Sequence, residues 1–376
     1  MPSPQHVLLN ALYLAPGASG GTETYLRGLA PALASEFPDL RITVATTRSG
    51  AQALRADGWE EFATVRAFPC EDGQRLRRLW GEQALLPKLI RGARVDVVHS
   101  LANIAPLYPG ARSVVTLHDV TFMTTRTFGR LSTWSMSFFA RAAARRADRL
   151  ISGTAAAREE TCAVLHVDPA RFSVVHHGYK PPNVTRATPE REIRDRYELR
   201  GARVALCVAA KRPHKNQELL IRAARKLDPD IVFVLAGHAE PYELELRALA
   251  RELDIEERVR FVGYVPDAEL EGLWGVADCA ALPTLAEGFG LPVLEAMSHG
   301  VPVAASGIPV LREVGGELPY YFDPHDADDA ARAIREALVD VDTRTQGPSY
   351  AARFTWAAAA RATHEVYERV LAGADR

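Results

Sequence analysis

The chain has 376 residues, 47% of them hydrophobic and 24% charged, with a formal net charge of −2. That length is too great for one ordinary core and fits two domains of usual size. The composition is that of a soluble globular protein, and the near-neutral charge argues against a nucleic-acid binder, which would show a basic excess. Apolar runs are strand-sized, so no transmembrane helix is expected. Met1-Pro2-Ser3-Pro4-Gln5-His6 lacks the basic start and apolar core of a signal peptide. Cys70, Cys162, Cys207 and Cys279 are scattered without paired metal spacing. They read as buried free thiols in a reducing cytoplasm.

The residues from His6 to Leu14 form a near-continuous apolar run, the pattern of a parallel strand buried on both faces. A glycine-rich loop follows, Pro16-Gly17-Ala18-Ser19-Gly20-Gly21-Thr22-Glu23, and then a helix from about Thr24 to Leu33. Such a loop between strand and helix is a usual place for an anion or nucleotide, though it meets neither the dinucleotide nor the P-loop fingerprint. A flexible connection is the alternative. Further strands are expected at Arg41 to Thr46, Thr64 to Phe68 and Asp96 to Ser100, with helices between them. That alternation means a parallel, doubly wound sheet. Ser113 to Asp119 reads as another strand, with His118 and Asp119 at the carboxyl end where such sheets bind ligands. The pair could equally tie a loop to the sheet.

Thr121 to Arg149 carries Trp134, Met136, Phe138 and Phe139, then Arg141, Arg145, Arg146 and Arg149. A core helix with a solvated basic end is the preferred reading, a membrane-surface helix the other. Phe172 to Tyr179 reads as the last strand of the first domain. Pro- and charge-rich residues 183–200 then read as a linker. Strand–helix alternation restarts at Arg203 to Ala209 and is followed by Arg212-Pro213-His214-Lys215-Asn216. Two cations at a strand end could neutralise a diphosphate; a solvated basic loop is the plain alternative. Ile231 to Gly237 and Val259 to Gly263 are further parallel strands. Asp228-Pro229-Asp230, although it looks like a metal motif, precedes a strand and reads as a turn.

The chain is organised around Ala286 to Met297, with Glu287 and Glu295 separated by seven residues across a loop that enters a helix. Gly288 and Gly290 allow close backbone approach, Pro292 suits a first helical turn, and the helix start suits a phosphate. An acidic side chain beside a phosphate site is better used on sugar hydroxyls, so the stretch reads as a nucleotide-sugar site. Phe354-Thr355-Trp356 finally introduces an amphipathic helix to about Leu371.

Glu287 to Glu295, with Gly-Phe-Gly-Leu-Pro inside, resembles the Glu-x7-Glu motif of retaining glycosyltransferases of family 4 with the GT-B fold. Gly20-Gly21-Thr22-Glu23, Thr116-Leu117-His118-Asp119 and Arg212-x-x-Lys215-Asn216 resemble other segments of that family, in the same order. The resemblance implies an α/β protein of two Rossmann-like doubly wound domains facing a cleft, with the last helix crossing back to the first domain. The boundaries expected are 1–182 for an acceptor domain, 183–200 for the linker, 201–355 for the donor domain and 356–376 for the returning helix. It also implies a hexosyltransferase that uses a nucleotide-diphospho-sugar as co-substrate, with no cofactor and no metal. Glu287 would contact the transferred sugar and Glu295 the ribose. Arg212 and Lys215 would hold the diphosphate, with Gly20 and Gly21 beneath it and main-chain groups of Phe289, Gly290 and Leu291 around the donor. Val265 would meet the base and His118 the reacting sugar, with Asp119 orienting that ring or bracing the loop, and Glu23 an acceptor-side candidate. GDP-mannose is the first donor expected and a UDP-sugar the second; the acceptor would be a glycan, a lipid-linked glycan or a small molecule. Cytoplasmic residence with at most peripheral membrane association is expected. The rivals are another enzyme of the same fold, an epimerase or a glycan phosphorylase, and a catalytically silent nucleotide-sugar-binding protein.

Overall fold

The computed structural model describes residues 3–124 and 130–373. The chain forms two compact units. One runs to Gly178 and takes up the chain again from Phe354; the other is Tyr179–Arg353.

The first unit is built on strands β1 (His6–Ala11), β2 (Arg41–Thr46), β3 (Ala63–Ala67), β4 (Val97–Ser100), β5 (Arg112–Thr116), β6 (Arg149–Ser152) and β7 (Phe172–Val174). They form one sheet in the order β3-β2-β1-β4-β5-β6-β7, and every pairing is parallel. β1 is buried at all six positions, the consequence of an uninterrupted apolar run in a sheet covered on both faces. The second unit contains β8 (Arg203–Val208), β9 (Ile231–Ala236), β10 (Val259–Val262), β11 (Cys279–Leu282), β12 (Val303–Ser306) and β13 (Tyr320–Phe322). Its order is β10-β9-β8-β11-β12-β13, again all parallel.

Each sheet therefore has one place where strand order reverses. In the first unit it lies between β1 and β4, where Asn10 stands opposite Ser100; in the second it lies between β8 and β11, where Leu206 stands opposite Ala280. Loops leaving the carboxyl ends of such a strand pair diverge to opposite faces and leave a crevice between them. These are the loops that carry the glycine-rich stretch in one unit and both charged motifs in the other.

The C-terminal helix, Trp356–Ala372, returns to the first unit. Its Ala359, Ala360, Val366, Tyr367 and Val370 join the core around β1, β2 and the helix Gly21–Glu36. Thr355 caps it by accepting from the Ala358 amide at 3.1 Å, which satisfies one of the orphan donors of a first turn.

Several expectations need correction. The stretch 183–200, read as a linker, belongs to the second unit and contains the helix Glu190–Arg196. Ile193 and Leu199 are fully buried there, and Ile193 lies where a side chain on Gly272 would go. β5 ends at Thr116, so His118 and Asp119 sit on the loop beyond it rather than on the strand. The basic aromatic segment forms the helices Thr121–Thr124 and Arg130–Arg146, while Arg149 opens β6. The longer helix buries Ala140, Ala143 and Ala144 rather than its aromatics, and Phe138 is half exposed; the Trp134 side chain lies outside the described residues. All four cysteines are buried free thiols.

Gly178 tests how the returning helix seats against backbone that cannot rotate away. A Cβ there would lie 2.2 Å from the Trp356 amide nitrogen and 2.7 Å from the Thr355 carbonyl carbon, both backbone atoms. Gly178→Ala should destabilise the first unit by roughly 1–3 kcal/mol, the usual scale of overpacking against atoms that cannot rotate away. Thermal unfolding with an unchanged midpoint would contradict this seating of the helix.

Candidate functional site

The second unit brings its candidate residues together at the reversal between β8 and β11. Residues 209–216 leave β8 and residues 283–290 leave β11, and the two loops are stitched to each other. Asn216 adopts the left-handed conformation, φ 55°, tolerated by Asn better than by most residues. Its Nδ2 donates to the Pro283 carbonyl at 3.0 Å and to the Pro324 carbonyl at 2.8 Å. The His214 carbonyl accepts from the Leu285 amide at 2.8 Å and from Thr284 Oγ1 at 3.1 Å. Lys215 and Glu287 are thereby held face to face, Nζ to Oε1 at 2.5 Å, with side chains only 21% and 17% exposed.

Gly290 lies in the same small pocket, with Val208 and Ala209 from the end of β8. It precedes the helix Leu291–Ser298 with φ 90°, and a Cβ there would be 2.4 Å from Leu311 Cδ2. The left-handed backbone favours glycine there, and the helix start meets the pocket without a capping side chain. Phe289 is buried and anchors the loop, while Leu291 is half buried. Arg212 is on the same edge, but its guanidinium is held by Glu240, at 2.7 Å from Nη2 and 3.1 Å from Nε.

Glu295 is one turn into that helix and half buried. Burial pushes its carboxyl up to about 7; His299 and Lys180 oppose this, and Glu271 and Asp267 add to it. Removing a carboxylate from water disfavours its charged form. Val265, beyond β10, is buried. The Asp228 and Asp230 carboxylates both pair with Arg203 at 2.8 Å, at the amino edge of the sheet. Among the described residues no group of three His, Cys, Asp or Glu side chains is placed to hold a metal ion.

The first unit has its own cluster beyond β1, β4 and β5. His118 Nε2 faces the Leu101 carbonyl at 2.9 Å, and the His118 amide donates to Asn103 Oδ1 at 3.2 Å. A carbonyl only accepts, so Nε2 carries the proton and, in the neutral ring, Nδ1 is left as an acceptor. Burial lowers the pKa of His118, the Leu101 carbonyl opposing, and favours that neutral form. Its ring meets Tyr25 edge-on at 5.0 Å and His177 at 5.4 Å. Beneath lies a buried relay: Tyr367 hydroxyl to His99 Nδ1 at 2.7 Å, His99 Nε2 to Thr116 Oγ1 at 2.7 Å, and Thr116 to the Tyr25 hydroxyl at 3.3 Å. Burial holds His99 down to about 3, so this relay is neutral.

Two sequence candidates, Glu23 and Asp119, are engaged within their own loops. Glu23 closes the glycine-rich loop, accepting from the Gly17 amide at 2.8 Å and from Arg27 Nε at 2.8 Å. Asp119 Oδ1 accepts from the Thr121 amide at 2.9 Å; the ring nitrogen of His118 is held by Leu101. Each acts as a loop brace. The backbone at Gly20 and Gly21 is open, since a side chain at either would meet nothing within 4 Å. Asn216, Thr284 and the buried Lys211 were given no role in the sequence reading. A left-handed Asn between strand and helix, and one lysine in an otherwise apolar strand end, were the available signals.

Residues 19–181 match the family model described as Glycosyltransferase Family 4, and residues 189–354 match the one described as Glycosyl transferases group 1. A D-inositol 3-phosphate glycosyltransferase of Corynebacterium jeikeium is 37% identical over 172 residues, covering 42% of this chain and 41% of that protein. The O-antigen chain mannosyltransferase B of Escherichia coli is 33% identical over 172 residues, covering 44% and 45%. The chain thus spans about half the length of the curated relatives it matches. Among solved structures, Anabaena HepE in complex with UDP and glucose superposes with a TM-score of 0.74 at 21% identity, covering 97% of this chain and 99% of HepE. Sucrose-phosphate synthase of Thermosynechococcus elongatus superposes with a TM-score of 0.75 at 19% identity, covering 98% and 100%. These two share the fold. With its two halves matched by successive models and the architecture common to both neighbours, the chain belongs to the family 4 glycosyltransferases of the GT-B fold.

Proposed function

We propose that this protein is a retaining, metal-independent glycosyltransferase that moves a hexose from a nucleotide sugar to a hydroxyl of an acceptor. The observation that carries this reading is the placement of Lys215, Glu287 and the uncapped start of Leu291–Ser298 in one pocket at the reversal between β8 and β11. A diphosphate suits a helix start and an ammonium; a carboxylate beside them suits sugar hydroxyls. When the diphosphate arrives it replaces Glu287 as the partner of Lys215 and releases the carboxylate to the sugar. The acceptor oxygen then bonds to the anomeric carbon on the face from which the diphosphate departs. The broken bond's electrons stay with the diphosphate, and one of its oxygens takes the acceptor's proton. Positive charge aimed at that growing anion is the main electrostatic contribution.

The first unit takes the acceptor in this reading, with open backbone at Gly20 and Gly21 and the Nδ1 acceptor of His118 as its polar groups. GDP-mannose is the first donor proposed, supported by the mannosyltransferase relative. A UDP-sugar comes second, supported by the UDP complex of HepE. The relatives' names divide the acceptor between a growing polysaccharide chain and a small phosphorylated polyol. No helix among the described residues is long and apolar enough to cross a membrane, so contact with a lipid-linked acceptor would be peripheral.

Calorimetry with GDP, UDP, dTDP and ADP, without added metal, should show one nucleotide binding more tightly than the others. Binding of none by folded protein would remove the donor site. Glu295 accepts ribose hydroxyls more strongly as a carboxylate than as a neutral acid, so nucleotide affinity should fall as pH drops through about 7, a dependence that Glu295→Gln abolishes together with most of the affinity. The same variant should be more stable than the parent. Between the ordinary value of 4.5 and about 7 the folded protein binds more protons at Glu295 than the unfolded chain does. Stability therefore falls as pH rises across that window. Glu295→Gln should gain roughly 1–3 kcal/mol at pH 8 and little at pH 4, read from denaturant unfolding at the two values.

Lys215→Ala should lower turnover by orders of magnitude, on the scale of losing one oxyanion donor; near-normal turnover would place Lys215 outside the reaction. His118→Ala should leave nucleotide affinity intact while damaging transfer. A full transfer rate in that variant would make His118 a purely structural residue.

A further inference from the structure

Lys211 lies three residues beyond β8 and is completely buried. Its Nζ donates to the Gly237 carbonyl at 2.6 Å and to the Val262 carbonyl, and its amide donates to the His238 carbonyl at 3.1 Å. Gly237 follows β9 and Val262 ends β10, so one side chain clamps the carboxyl ends of three neighbouring strands. The clamp is tight: Gly237 has φ 137°, and a Cβ there would lie 2.3 Å from the Ala209 carbonyl oxygen. Directly beyond it, the His238 and Tyr264 rings stack with centroids 5.0 Å apart, and Tyr264 stands 60% exposed. Val265 follows.

An ammonium is an expensive way to fill such a space. Burial pushes Lys211 down to about 8, with Glu243 of the helix Glu243–Glu252 and Cys207 of β8 opposing and Arg247 of that helix adding to it. A methionine of similar volume would avoid that desolvation. What the ammonium adds is direction, since its N–H groups fix two carbonyls in place.

We infer that Lys211 is a positioning residue for the nucleoside end of the donor, holding the main chain at Gly237-His238 and Val262 to Val265 in the geometry that receives the base. The inference rests on the proposed donor site. Lys211 touches neither the diphosphate pocket nor the reacting atoms; it acts through the loops it clamps.

The test compares the full-length protein with Lys211→Met, titrating GDP, UDP and inorganic pyrophosphate. For whichever nucleotide the parent binds, the variant should be about tenfold weaker at pH 7, the scale of a lost charge-assisted hydrogen bond, while pyrophosphate binds both proteins equally. The variant-to-parent ratio should shrink towards one by pH 9.5, because the parent's lysine has by then lost its charge and its bonds have weakened to ordinary ones. An unchanged nucleotide affinity, a ratio independent of pH, or equal losses for nucleotide and pyrophosphate would each overturn the inference. If Lys211→Met does not fold, Lys211→Gln, which keeps two N–H groups on a neutral side chain, should show a smaller loss at pH 7, its ratio likewise closing towards one by pH 9.5, and a loss independent of pH overturns the inference. A parent that binds no nucleotide removes the donor site, and this inference with it; a parent that binds while the variant matches it sinks the inference alone.

Discussion

The chemistry of the second unit depends on the two hydrogen bonds from the Asn216 amide to the Pro283 and Pro324 carbonyls. The loops after β8 and β11 diverge because strand order reverses between them, and nothing in the sheet's own ladder ties their tips together. A side chain with two N–H groups, on a residue that tolerates the left-handed conformation, closes that gap. Thr284 adds to it by sharing its one hydroxyl hydrogen between the His214 and Ala286 carbonyls. Lys215 and Glu287 are neighbours in space although 72 residues apart, and these bonds are the reason. The site is thus a product of loop stitching laid over a sheet topology that left the crevice open.

The first unit solves a different problem. Three histidines, His99, His118 and His177, are packed near its reversal point, and burial lowers the pKa of each. Kept neutral, His99 and His118 make directional hydrogen bonds without the cost of buried charge, and His177 packs its ring against Tyr25 and Trp356. The returning helix is part of that arrangement. Its Tyr367 hydroxyl meets His99, and Trp356 lies against Tyr25 and His177. Residues more than 170 positions away in sequence therefore fix the surroundings of His118, which explains why the last helix belongs to this unit rather than to the one that immediately precedes it.

The parts of this structure legible in the sequence share one property: each is decided by residues close together along the chain. β1 and β9 show as apolar runs, and the strand-to-helix corners show as glycines and prolines. Glu287, Gly290 and Glu295 fall in register because a loop and one helical turn set their spacing. The features that the sequence did not show depend on partners elsewhere. Glu23, an acceptor-side candidate, and Asp119, read as orienting His118 or bracing its loop, are engaged by amides that loop geometry presents. Residues 183–200 looked like a linker because Ile193 and Leu199 are isolated among charges, and only Gly272 opposite makes room for Ile193. Arg212, read as a phosphate ligand, is paired with Glu240, 28 residues on, a partner that the local motif does not show.

That last pairing bears on how the proposed donor site holds its charge when empty. A pocket built for a diphosphate must collect positive groups, and unmatched cations in a half-buried setting repel one another and lose hydration. Here each is balanced by an acid that can give it up: Lys215 by Glu287, at 2.5 Å, and Arg212 by Glu240, at 2.7 Å. Glu287 gains new partners when displaced, since sugar hydroxyls arrive with the diphosphate. Glu240, one-third exposed, returns to water. Glu295 carries the opposite imbalance, an acid held towards its neutral form until ribose hydroxyls reward the charge. On the proposed reading the whole donor thus settles three carboxylates and two cations together. A nucleotide alone would leave Glu287 without hydroxyl partners, and a free sugar would leave Lys215 paired as before. The electrostatics favour the intact nucleotide sugar over either fragment, which is the discrimination a transferase needs.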